Sequence, residues 1–142
     1  MTTDRDPLHQ PAAPVVVEPV PDVQLQMLVR LLGQDAQAAL PVTLVVGGCL
    51  LHGDLISHER WRADWARSLR GIDGPGADLL ERFPEQVDEV VADKQGAVAQ
   101  RLPQWIHLRD ATAPATPGRP VVMPLWRGRL TDVSGWSLGR PE

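Results

Sequence analysis

The stretch from Val42 to Ser57 most restricts what this chain can fold into. It runs Val42-Thr43-Leu44-Val45-Val46, then Gly47-Gly48, then Cys49-Leu50-Leu51-His52-Gly53-Asp54-Leu55-Ile56-Ser57. Two β-prone runs joined by two glycines read as a hairpin, because a two-residue turn that matches strand twist needs positive φ at its centre. Gly53 stands inside the second run, where it weakens the strand unless the backbone bends sharply or another segment comes close. A sheet that bends at a mid-strand glycine is one that curls toward a small barrel. A second stretch, Trp126 to Gly139, reads the same way as strand, tight turn and strand, with Gly128 and Gly135 as structural glycines.

The remaining elements arrange themselves around these two. Residues 1–21 contain Pro7, Pro11, Pro14, Pro19 and Pro21 and read as a disordered tail, since proline removes donors and favours extended chain. Asp22 suits an N-cap; Leu25, Leu28, Val29 and Leu32 then recur at helical spacing until Gly33. Ser57 can cap a helix with Trp61, Trp65 and Leu69 on one stripe, stopped by Gly71. Residues 77–100 turn helical again, with a kink or break at Pro84. The first of these helices is mostly basic (Arg60, Arg62, Arg67, Arg70) and the second acidic (Asp78, Glu81, Glu85, Asp88, Glu89, Asp93), so the two are expected to pair. Trp105–Ala111, Val121–Leu130 and Trp136–Leu138 read as the last three strands.

Several function classes are excluded by chemistry. The net charge is −4 and Lys94 is the single lysine, a balance that disfavours phosphate backbones. No run approaches the roughly 18 apolar residues of a membrane span. The N-terminus lacks the apolar core of a signal peptide, and Cys49, the one cysteine, cannot form an intramolecular disulfide. A cytoplasmic protein is expected. His58-Glu59 begins like a zinc-protease helix, but Arg62 stands where the second histidine belongs. His52, His58 and His107 are scattered, Asp54 and Asp110 each follow a turn or strand and are expected to face solvent, and Cys49 has no basic neighbour in sequence to activate it. No enzyme, metal or cofactor is expected.

The chain has five tryptophans, no tyrosine and one phenylalanine. Trp61 and Trp65 are expected to pack the helical segment on the sheet, and Trp105, Trp126 and Trp136 to be core or half-buried strand residues. Trp and Arg dominate binding hot spots, which makes Trp126, Arg127 and Arg129 the candidate protein-binding residues.

The first hairpin resembles the first Sm motif, with Gly48, Leu50, Gly53 and Leu55 in the places of its glycine, its apolar strand residue, its bending glycine and its leucine. Arg127-Gly128 is a weaker match to the Arg-Gly loop of the same proteins. The expected fold is therefore α+β: a small, strongly bent Sm-like or SH3-like β-barrel over residues 22–142. It has an N-terminal helix and an α-helical insertion at about 57–101, between strands two and three. That resemblance implies an oligomeric RNA-binding protein, but the insertion falls where one RNA-binding loop should be, and Arg129-Leu130 replaces the usual polar residue of the other.

A wider resemblance spans roughly residues 41–139. Val42 to Gly48 with Gly53-Asp54-Leu55-Ile56-Ser57, then Ile106 to Ala111, then Leu125 to Gly139 are similar to the gas vesicle accessory protein GvpU family. This implies a cytoplasmic, non-enzymatic protein associated with gas vesicles. It would modulate their assembly or clustering through contacts with the shell or other accessory proteins, leaving homo-oligomerisation open. No nucleic-acid or membrane partner is expected. The alternative is the Sm-like RNA-binding protein, and a small enzyme is a distant third.

Overall fold

The capping chemistry sets the helix boundaries in a computed structural model that describes residues 20–72, 74–95, 102–114 and 118–142. Asp22 caps α1 (Val23–Leu32), its carboxylate accepting from Gln24 N–H, and Gly33 ends it. Ser57 caps α2 (His58–Arg70) by accepting from Arg60 N–H, and Gly71 ends it. The expected second helix is two: α3 (Pro75–Leu80) and α4 (Phe83–Gln95). The break precedes Pro84, which sits in the first turn of α4, where a missing N–H costs nothing. The expected proline-rich tail lies outside the described residues except for its last two, as does the end of the insertion at 96–101.

The strands are β1 (Ala39–Val46), β2 (Cys49–Ile56), β3 (Trp105–Ala113), β4 (Val121–Arg129) and β5 (Val133–Leu138). They form one antiparallel sheet in the order β4-β3-β2-β1-β5. β1 and β2 make the expected hairpin, with Gly47 at φ 57° and Gly48 at φ 77°. The mirror-image turn these angles describe is open to glycine at little cost. β5 returns to pair with β1, setting Val42 against Leu138 and Leu44 against Trp136.

One expectation is corrected. The sheet is open, so closure into an Sm-like or SH3-like barrel is not observed: β4 and β5 are its two edges and share no ladder. The Trp126–Gly139 stretch is the expected strand, tight turn and strand, but its two strands do not pair with each other. A single 3-10 turn, Leu130–Asp132, carries the chain end to end from β4 on one edge to β5 on the other. That short link draws the edges together at one end of the sheet, which must bend strongly to allow it, and leaves them unpaired along their length.

The bend is centred on Gly53. His52 pairs with Thr112 and Asp54 with Arg109, so Gly53 alone faces two residues, Asp110 and Ala111. This is a β-bulge, which kinks and twists its strand. Asp110 takes φ 52°, the one non-glycine residue with positive φ among the described residues. A Cβ on Gly53 would lie 3.0 Å from the Arg109 carbonyl oxygen and 3.1 Å from Ala111 Cα. The close approach expected from the sequence is thus the reason for the glycine.

Alternation gives the sheet two different faces. One carries the core: Val42, Leu44, Leu51, Leu55, Ile106, Leu108, Ala111 and Leu130, covered by Leu25 and Val29 of α1. Gln26, also buried, is satisfied by donating to the Pro103 carbonyl at 2.9 Å. Trp126 and Trp136 pack at the margin of this core. The Trp136 indole N–H donates to Asp22 at 2.9 Å. That bond, followed by the one from Gln24 N–H, holds the Asp22 carboxyl below its ordinary pKa. The other face of β3 and β4 lies under α2, and there the polar chemistry collects.

Candidate functional site

Four residues in register build the outer face. His107 pairs with Arg127 and Trp105 with Arg129 across β3 and β4, so all four side chains share the side opposite Ile106 and Leu108. Helix α2 crosses this side and lays Trp61 against it. The Trp61 ring is 5.1 Å from His107 and 5.4 Å from Trp65. The Arg127 guanidinium stacks 4.2 Å above the Trp105 ring and 5.7 Å from Trp61. A planar cation over an aromatic face gains from the ring quadrupole while its edge N–H groups stay free.

Beneath α2 runs a chain of hydrogen bonds. Asp88 of α4 accepts from His58 Nε2 at 2.9–3.0 Å and from Arg62 at 3.1 Å. His58 Nδ1 lies 3.2 Å from His107 Nε2. With one proton on each ring, His58 donates to Asp88 through Nε2, so its Nδ1 accepts from His107 Nε2–H. His107 is 3 % exposed. Burial, then the neighbouring His58 and Arg127, push its pKa down to about 3. The chain of bonds fastens α4, α2 and β3 to one another. It also realises the expected pairing of the basic and acidic helices, to which Arg70–Glu81 at 3.2 Å contributes. Among the described residues no hydroxyl or thiol bonds to either imidazole, and no group of three or more His, Cys, Asp or Glu is arranged to hold a metal. The arrangement clamps these elements together.

Next to the clamp, α2 and β4 leave an apolar cleft of about 240 Å³ lined by Trp65, Ser68, Leu69, Pro124 and Leu125. Trp65 is fixed by its indole N–H donating to the Leu80 carbonyl at 2.8 Å and by Phe83, 6.5 Å away between ring centres. A polar cleft shares Ser68, Pro124 and Leu125 and adds Asp64, Arg67, Arg109 and Asp110.

The family model described as gas vesicle protein GvpU-like matches residues 22–141. The chain belongs to the GvpU-like family. No curated protein and no solved structure matches it. The GvpU-like match runs from the cap of α1 past the end of β5, and so takes in the helical insertion and the whole outer face.

Within this GvpU-like chain the three candidate residues do not form one patch. Arg127 and Arg129 share the outer face, but Trp126 is on the core side, its ring folded over Gly128, where any Cβ would collide with it. Gly128 is therefore a packing glycine. Gly135 meets no such demand, since a Cβ there would touch Val45 at an ordinary 3.7 Å. Arg129 is exposed and pairs with Asp132 at 3.4 Å. Trp105, expected to be core or half-buried, is 41 % exposed on the outer face beneath Arg127. The spacing of Trp105, His107, Arg127 and Arg129 held the signal for this face; only the strand register was missing. Of the scattered histidines, His58 and His107 meet, while His52 sits on β2 opposite Thr43 and Thr112. Asp54 and Asp110 both reach Arg109, at 3.4 and 3.9 Å. Asp54 also binds Arg140 at 3.4 Å and is largely buried rather than solvent-facing.

Proposed function

We propose that this GvpU-like chain is an accessory protein that modulates gas vesicle assembly or clustering by protein contacts, through the outer face of β3, β4 and α2. The observation that carries this reading is the exposed Arg127–Trp105 stack, a cation and a large aromatic surface side by side. Such pairs concentrate binding energy when covered. Membership of the family supports the gas vesicle as the setting.

The Arg127→Ala, Arg129→Ala double variant tests it. Losing an exposed cation–π contact and an exposed ion pair should lower stability by about 1 kcal/mol or less. Co-flotation with isolated gas vesicles, or co-sedimentation with other accessory proteins, should weaken clearly. A folded double variant that associates as well as the parent would place the contact elsewhere.

The rival RNA-binding reading has one feature in its favour, since arginine beside an exposed tryptophan can also stack on bases. Against it stand the net charge of −4 and the carboxylates of Asp88 and Asp132 within the same face. Fluorescence anisotropy with U-rich and A-rich oligomers at physiological salt should detect no appreciable binding. Submicromolar, salt-sensitive binding would favour the rival.

A further inference from the structure

The charges under α2 do not balance locally. Two guanidinium groups, Arg62 and Arg127, lie near one carboxylate, Asp88, which is already committed to Arg62 and to the His58 ring. Among the described residues Arg127 enters no ion pair within 4.0 Å; its contacts there are the rings of Trp105 and Trp61. Two further donors nearby, Trp61 Nε1 and Arg62 Nε, are buried and meet no acceptor among the described residues. Among the described residues donors exceed acceptors here, and the Arg127 side chain is exposed.

We propose that Arg127, held flat on Trp105, receives a carboxylate side chain from an acidic and apolar segment of the partner protein. A guanidinium edge matches a carboxylate in paired, charge-assisted bonds. The apolar half of the match is the cleft between Trp65, Leu69, Pro124 and Leu125. Leu125 and Arg127 lie two residues apart on one strand, hence about 6.6 Å. That is close to the pitch of one helical turn, about 5.4 Å. The segment that fits is a helix with Glu or Asp one turn from Leu or Met. A phosphodiester chain fits less well, because Asp88, Asp110 and Asp132 flank the site and repel a run of charges while tolerating a single one.

This inference rests on the reading of the face as a protein-contact surface, and its test separates the two. The probes are a short helical peptide with Glu and Leu one turn apart, the same peptide with Gln for Glu, and oligouridine. Binding is read from tryptophan fluorescence. The Glu peptide should bind about tenfold or more tighter than the Gln peptide, the span of one charge-assisted contact. Arg127→Gln should erase that preference, and Arg127→Lys, which keeps the charge but loses the flat stack, should keep part of it. Equal binding of the two peptides, or an unchanged preference in Arg127→Gln, would overturn the carboxylate site. Oligouridine binding tighter than the Glu peptide would overturn it in favour of nucleic acid. Vesicle flotation of Arg127→Gln runs in parallel. Peptide discrimination with unaltered flotation supports the carboxylate site and overturns the vesicle-contact reading, and lost flotation without discrimination does the reverse.

Discussion

Acid should destabilise the fold along a slope that His107 sets in large part. Unfolded, this imidazole takes a proton near pH 6.5; folded, burial and then His58 and Arg127 hold it neutral down to about pH 3. The groups facing it are Arg127 from β4 and His58 from α2, with Asp88 of α4 bound behind His58 and itself held by Arg62 of α2. Above pH 6.5 both states are neutral at this site and it adds no pH dependence. As pH falls below 6.5 the unfolded state binds a proton that the folded state refuses, so stability drops by up to about 1.4 kcal/mol per unit. By pH 3 the loss from this residue is roughly 4–5 kcal/mol. Carboxylates contribute their own acid dependence, so the parent should be compared with His107→Gln, whose amide can still bond to His58. The variant should be the less stable at pH 7.5 and the more stable at pH 4, the two denaturation-midpoint curves crossing between. Parallel curves would mean that His107 charges freely in the fold.

Gly53→Val should have the second large effect. The new Cβ would meet the Arg109 carbonyl and Ala111 Cα at about 3 Å, and both are backbone atoms locked in the bulge, unable to step aside as a side-chain tip can. Overpacking against such a wall costs about 3 kcal/mol. In a domain of this size that lowers Tm by on the order of 10 °C. Calorimetry on the parent, Gly53→Ala and Gly53→Val should show a graded fall. A valine variant melting within a degree or two of the parent would mean that β2 and β3 are not pressed together at this point.

Features set by adjacent residues were readable in the chain. Asp22 and Ser57 cap helices because a short side chain reaches back to the next N–H, and Gly47-Gly48 turns because both angles are positive; each effect spans a few residues. The opposite charges on α2 and α4 announced their pairing by composition, although the contacts themselves span 26 residues or more. The bulge was not readable. Nothing in Arg109-Asp110-Ala111 marks an extra residue, which exists only because of how β3 registers against Gly53. The link from β4 to β5 was readable as a tight turn but not as a crossing, because turn chemistry looks alike whether the following strand folds back or crosses to the far edge. Gly128 was readable as a structural glycine, but not its constraint, the ring of Trp126 two residues before it. His58 and His107 stand 49 residues apart, so their contact and the unequal charges around Asp88 emerge only once α2 is laid across β3. Trp105 shows the same limit: its face follows from alternation, but whether a helix covers it does not.

The pairing of β5 with β1 also imposes an order of events on folding. Val42 meets Leu138, and Asp22 at the head of α1 meets Trp136, contacts spanning most of the described chain. On a ribosome the β1–β2 hairpin can form early, since its partners are neighbours. One edge of β1 then stays unpaired until β5 emerges, through the synthesis of the whole insertion. Contacts of such long separation slow folding and lengthen the life of exposed strand edges. Final consolidation of α1 and β1 must therefore await the emergence of β5.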